Sequence, residues 1–178
     1  MSLSRKSGRK GTRGYAHLVE IKAPVARVWR ALTDQALVRI WSAAHAEIDA
    51  RQGGVFRMTH PGGILREAHI DVFDPNRRLR LIYLSSRDAP ACESAVVDDF
   101  LLDVRKGDGT TSLRLLGSGI PQAEGWDRHY TRLRVGWERL LSRVKVTLEN
   151  PPLPAKKAAE RIEPPPVNID PPLPGLDY

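Results

Sequence analysis

The sequence predicts an α+β domain: a curved antiparallel sheet of about seven strands, two short helices after the first strand, and a long C-terminal helix packed across the sheet. Three observations predict it. The stretch Ile21 to Asp34, IKAPVARVWRALTD, changes period at Pro24, from a strand-like run to apolar residues at helical spacing. Six alternating segments follow, separated by turn residues. The last segment, Trp126 to Leu148, repeats apolar residues at helical spacing over about six turns.

The elements follow in chain order. YAHLVEIKA suits a first strand, and Pro24 ends it and opens a helix, since its missing donor is harmless there. Val25, Val28, Trp29 and Leu32 form one stripe of that helix, and Trp29 reads as core. A second short helix, QALVRIWSA, presents Leu37, Ile40 and Trp41 as its apolar side. AEIDA then leads to Gly53 and Gly54, a tight turn or bulge. VFRMTH and ILREAHIDVF are joined by Pro-Gly-Gly, and Asp-Pro-Asn separates the latter from RRLRLIYLSS. AVVDDFLLDV and SLRLLGSGI are joined through Asp108-Gly109, a strong hairpin signal. The C-terminal helix aligns Trp126, Tyr130, Leu133, Trp137, Leu140, Leu141, Val144 and Leu148.

The chain is long enough for one sizeable core with extensions at both ends. Residues 1–14 carry five basic groups and no acid, and read as a disordered basic arm. Residues 15–149 hold the periodic patterns and form the domain. Residues 150–178 hold nine of the 14 prolines, which prevent a packed core and predict an extended tail. The net charge of +7 therefore sits mainly in the arm, and the body is nearly balanced. The one cysteine, Cys92, rules out an internal disulfide and a Cys-cluster zinc site and fits a reducing, cytoplasmic location. No apolar run is long enough to span a bilayer.

IKAPVARVWRALTD, the Trp41 that closes the second helix, DARQGGVFR, FDPNRRLRL and GWERLL together resemble the SRPBCC superfamily, also called START-like or Bet v 1-like, with its helix-grip fold. Within it, the chain is most similar to the branch named for the C-terminal domain of the activator of Hsp90 ATPase. The resemblance covers residues 15–148. It implies the fold, and a superfamily of carriers, cyclases, co-chaperones and pocket proteins. Members of this branch often carry Glu just before the Asp-Pro, where this chain has Val72. The Hsp90 activators have a separate N-terminal domain that 14 residues do not accommodate, so a co-chaperone role is not expected.

A long helix gripped by a curved sheet leaves volume that side chains do not fill, which implies a pocket. Strand alternation puts Phe56, Met58 and His60 on one face, with Leu81 and Tyr83, Phe100 and Leu102, and Leu113. With Trp41, Tyr130 and Trp137, these are the candidate ligand-binding residues; the bland alternative is that they form a filled core. The expected function is non-enzymatic binding of a small hydrophobic molecule. The alternative is a scaffold whose arm and Pro-rich tail contact partners, and a cyclase- or hydrolase-like enzyme comes third.

No catalytic residue, metal site or cofactor is assigned. The five histidines show no i, i+4 pair, and His60 reads as a partly exposed strand residue. Asp98 and Asp99 point to opposite faces, and Asp98 shares the inner face with Phe100 and Leu102. A buried carboxylate must pair or neutralise, and Arg57, Arg66 and Arg80 are the candidate partners. The arm offers weak, salt-sensitive contact with nucleic acid or an acidic surface. PPLP, at 151–154 and 171–174, offers a polyproline contact to a protein partner.

Overall fold

The computed structural model describes residues 11–42, 44–84, 89–90, 94–105 and 107–150. Residues 1–10 of the basic arm, Cys92 and the Pro-rich tail from Pro151 lie outside them. The elements are β1 (Thr12–Ile21), α1 (Val25–Thr33), α2 (Gln35–Ser42), β2 (His45–Ile48), β3 (Val55–His60), β4 (Ile64–Asp74), β5 (Arg78–Tyr83), β6 (Val97–Val104), β7 (Thr111–Pro121) and α3 (Trp126–Glu149). Strand β1 opens at Thr12, so Arg13 and Gly14, which the sequence reading placed in the arm, are strand residues. The reason is a long-range contact: Arg13 reaches Asp127 at 2.5 Å and stacks 4.3 Å from the Tyr130 ring centroid.

The seven strands form one sheet in the order β1-β7-β6-β5-β4-β3-β2, with every neighbouring pair antiparallel. Only the β1–β7 pairing is remote in sequence; consecutive hairpins make the rest. Their turns lie where the sequence predicted them: Gly62 and Gly63 after β3, Asn76 after β4, and Gly107 and Gly109 after β6 all have positive φ. Register shifts in β1 between Arg13 and Tyr15, and in β4 between Ile70 and Val72, mark bulges. Bulges add local twist, which helps the sheet curve around a helix.

Helix α1 starts from the Pro24 carbonyl, which accepts from Arg27 and Val28 at 2.9 and 3.2 Å. It buries Val28, Trp29 and Leu32, and Trp29 meets the Phe73 ring edge-on at 5.1 Å. Helix α2 corrects one expectation. Its buried residues are Val38, Trp41 and Ser42, whereas Ile40 is 56% exposed. The helix starts at Gln35, directly after Asp34 Oδ1 accepts from the Ala36 amide, and this phase turns Val38 rather than Ile40 inward. The Trp41 indole N–H then binds the Ala31 carbonyl at 2.7 Å and ties the two helices together.

Helix α3 lays Trp126, Leu133, Trp137, Leu141, Val144 and Leu148 over the sheet, one or two per turn. It also meets α1 and α2. Its C-terminal end is pinned by Arg27 on the Leu148 carbonyl at 3.3 Å and by Glu149, which accepts from the Lys22 amide at 2.8 Å. A guanidinium there satisfies orphan carbonyls and opposes the negative end of the helix dipole. Fully buried Ile21, Met58, Ile70, Leu79, Leu81, Leu113, Leu115 and Ile120 form the sheet's share of the core. Each is worth ~1.5–3 kcal/mol relative to exposure.

The phase of α2 predicts a contrast. Val38→Asp buries an unpaired charge and unfolds the domain or lowers its stability by several kcal/mol, whereas Ile40→Asp stays within about 0.5 kcal/mol of the parent. Urea denaturation of both variants checks it.

Candidate functional site

The inner surface carries one fully buried carboxylate. Asp98 lies near the start of β6, in a row of paired residues running Ile70, Leu81, Asp98, Gly117 and Tyr15 across β4, β5, β6, β7 and β1. Gly117 leaves a gap in this row. A Cβ there would stand 2.3 Å from the Tyr15 ring. The tyrosine therefore lies over the glycine and donates its hydroxyl to Asp98 Oδ1. From the opposite side, the Trp137 indole N–H of α3 donates to Asp98 Oδ2 at 2.8 Å. Arg66 of β4 reaches the same oxygen at 3.3 Å.

The Arg66 guanidinium lies between two aromatic faces, 4.6 Å from the Tyr83 ring centroid and 5.1 Å from that of Trp137. These contacts combine cation–π attraction with compensation of the buried charge. Its side chain is 16% exposed, so one edge of the cluster reaches solvent. The Tyr83 hydroxyl is buried and makes no hydrogen bond of good geometry among the described residues, although Asp98 lies close enough to act on it. Burial holds the Tyr15 and Tyr83 phenols far above their ordinary range, and the negative Asp98 adds to it. Both are neutral donors at any physiological pH. Burial, with the nearby positive Arg66, pushes His60 below its ordinary value.

The outer face is different. Asp99, the next residue, points there and pairs with Arg78 at 2.7 Å and Arg80 at 3.0 Å. Burial opposes its charge, but the hydrogen bonds from Arg78 and Arg80 outweigh it and hold the carboxyl below its usual value. Glu47, Arg57 and Glu67 are paired across β2, β3 and β4, with Arg57 2.7 Å from Glu47 and 2.6 Å from Glu67. Of the three arginines considered for Asp98, only Arg66 faces inward.

The predicted site residues divide into groups. Trp137, Phe100 and Tyr83 join the Asp98 cluster, with Phe100 edge-on to Trp137 at 5.3 Å. Phe56, Met58, Leu81, Leu102 and Leu113 are buried on the same inner surface. His60 lies at the end of β3, half-buried. Trp41 is buried in the α1–α2 corner, its polar tip engaged by Ala31. Tyr130 lies two turns before Trp137 and donates to the Gly14 carbonyl at 3.1 Å, under Arg13. Sequence reasoning did not assign Tyr15 or Arg66 to the site. The alternation Arg66, Ala68, Ile70 carried the signal for Arg66; for Tyr15 none existed, since its reach depends on a glycine of β7, six strands away in sequence. An open groove of about 600 Å³ lies elsewhere, on the solvent side of α3.

A seven-strand antiparallel sheet closed by two short helices and gripping one long helix defines a helix-grip domain of the SRPBCC type. The family described as activator of Hsp90 ATPase homolog 1-like protein matches residues 22–149, and the chain belongs to that family. Among solved structures it is similar to protein MLL2253 from Mesorhizobium loti, at 23% identity and a TM-score of 0.68, covering 79% of this chain and 100% of that one. It is also similar to the Aha1 dimer of Colwellia psychrerythraea, at 19% identity and a TM-score of 0.66, covering 78% and 97%. The HSP90 activator PFC0360w of Plasmodium falciparum follows at 21% and 0.58, covering 76% and 95%. At these identities the likeness is one of fold. No curated protein matches the sequence. No helix among the described residues is long and apolar enough to cross a membrane.

Two outcomes follow from the cluster. Asp98→Ala strands the Arg66 charge and the Trp137 and Tyr15 donors, and costs about 3–5 kcal/mol in chemical denaturation. His60 is held neutral in the fold, while the unfolded chain takes up a proton below its ordinary value of 6.5. The unfolded state then binds more protons, so stability is full above that pH and falls as pH drops. Thermal melts at pH 7.5 and 5.5 check it: the loss is smaller in His60→Gln than in the parent.

Proposed function

We propose that the domain binds a small hydrophobic molecule between the sheet and α3, without catalysing its conversion, and that the molecule's polar end lies at Arg66 and Tyr83. The observation that carries this reading is the buried Tyr83 hydroxyl, which makes no hydrogen bond of good geometry among the described residues, beside a guanidinium whose one hydrogen bond there is to Asp98. An unpaired buried hydroxyl costs ~1–3 kcal/mol, which an acceptor on a ligand recovers. Phe56, Met58, Leu81, Phe100, Leu102 and Leu113 supply the apolar wall around that point. The resemblance to a superfamily that includes carriers supports the same reading. Entry requires the inner face of α3 to separate from the sheet, a minor conformation that a ligand would favour.

A scaffold role has its own support, since most of these walls are in contact with one another and nearly inaccessible. One experiment separates the two. Native mass spectrometry of gently purified full-length protein is followed by titration with dodecanoic acid, its methyl ester and a panel of aromatic acids, read by tryptophan fluorescence. The expected result is saturable binding that Tyr83→Phe weakens about three- to tenfold, the value of one hydrogen bond. No co-purifying species and no saturable response across the panel overturns the carrier and leaves the scaffold.

A further inference from the structure

The arginines of this fold are unevenly employed. On the sheet and in the short helices, Arg13, Arg30, Arg51, Arg57, Arg66, Arg77, Arg78, Arg80 and Arg105 each pair with a carboxylate. On α3, five arginines are exposed and have no hydrogen bond, ion pair or ring contact among the described residues, as is also true of Arg114 on β7; Arg134 lies apart, and the other four are Arg128, Arg132, Arg139 and Arg143. At 100° per residue they fall within about 60° of one another around the axis, a line about 22 Å long. The acids of the helix lie off this line, and Asp127 is already held by Arg13.

This arrangement costs the fold stability. Arg128 and Arg132, and likewise Arg139 and Arg143, are like charges at i, i+4, which destabilise a helix by about 0.2–0.5 kcal/mol per pair. Gly136 lies beside the same line in mid-helix, where glycine costs about 0.5–1 kcal/mol relative to alanine. No packing demands it, since a Cβ there would meet nothing within 4 Å. Its effect is to open the groove of about 600 Å³ that Asp127, Arg128, Thr131, Arg132, Val135, Gly136 and Arg139 line, the one carboxylate among them being held by Arg13.

We infer that the outer face of α3 binds the sugar-phosphate backbone of double-helical nucleic acid without reading its sequence. Phosphates are the ligand that suits unpaired arginines with free donor forks. A line of 22 Å matches the rise of about six base pairs, at roughly 3.4 Å each. An acidic protein partner fits less well, because protein interfaces concentrate their affinity in buried aromatic or aliphatic anchors, and Val135 is the only large apolar residue in the groove. The same lack of apolar residues disfavours insertion into a lipid surface. This inference is independent of what occupies the interior.

The test is fluorescence anisotropy of full-length protein with labelled 25-base-pair duplexes of two unrelated sequences, at several salt concentrations. Arg128, Arg132, Arg139 and Arg143 are then replaced together by Gln, with circular dichroism and the melting temperature confirming the fold. The expected result is binding equal for both sequences. In the fourfold variant it is at least tenfold weaker at 100 mM salt, and the dependence of log K on log salt is shallower by about 3 to 4, close to 0.9 per lost contact. The fourfold Lys variant retains most of the binding. The inference is overturned if the parent fails to bind at 50 mM salt, or if the Gln variant binds with unchanged affinity and slope. It is also overturned if polyglutamate or phosphatidylserine vesicles compete better than unlabelled duplex at equal charge.

Discussion

Asp98 is a charge that the fold has taken entirely out of water, and the elements around it are arranged to make that tolerable. An isolated carboxylate in an apolar interior is prohibitively costly, so each of its oxygens must be met. One is met from β1 by Tyr15, and the other from α3 by Trp137 and from β4 by Arg66. These donors come from sequence positions far apart, so the cluster fastens the first strand, the middle of the sheet and the last helix at one point. The β1–β7 pairing and the seat of α3 are the two long-range joints of the topology, and both touch this carboxylate directly or through Gly117.

Buried ion pairs of this kind are often no more stable than apolar side chains of the same volume. Stability therefore does not explain the cluster, and two other roles remain. One is specification: a polar group with fixed partners sets the rotation and height of α3 on the sheet, which an all-apolar surface leaves loose. The other is the recognition proposed above, which rests on the guanidinium beside Tyr83 and Trp137 and on the Tyr83 hydroxyl, which makes no hydrogen bond of good geometry among the described residues. The two roles are compatible. The donors committed to Asp98 hold the helix, and on the proposal above the Tyr83 hydroxyl would serve a ligand.

The sequence showed most of the architecture because the architecture follows periodicity. Strands of alternating burial, turns at Gly62, Asn76 and Gly109, and the stripe on α3 are all local patterns, and local patterns survive in one dimension. Asp98 was legible as an inward charge for the same reason, through its shared parity with Phe100 and Leu102. Where the reading departed from the structure, the determinant lay outside the periodic pattern of the element itself. Ile40 and Val38 are equally apolar, and only the starting point of α2 after Asp34 decides which is buried. Arg13 looked like part of a basic arm because its partner, Asp127, is 114 residues away. Tyr15 gave no hint of its role, because its reach depends on the empty position at Gly117 and on a register between first and last strands.

Helix α3 shows how one element can hold two unrelated surfaces without conflict. Its inner face is fixed by Trp126, Leu133, Trp137, Leu141, Val144 and Leu148, with Trp137 bonded to the carboxylate beneath it. That leaves the outer face no part in folding, so its composition is free to follow another demand. Neutral or alternating residues there would serve the helix better than four arginines and a central glycine, which oppose it by charge repulsion and backbone entropy. The anchoring that makes such residues affordable also gives them rigidity: a line of charges on a helix held at both ends keeps its spacing, whereas the same charges on a loop would not. The buried carboxylate thus reaches beyond the core, since it fixes the helix whose far side meets solvent.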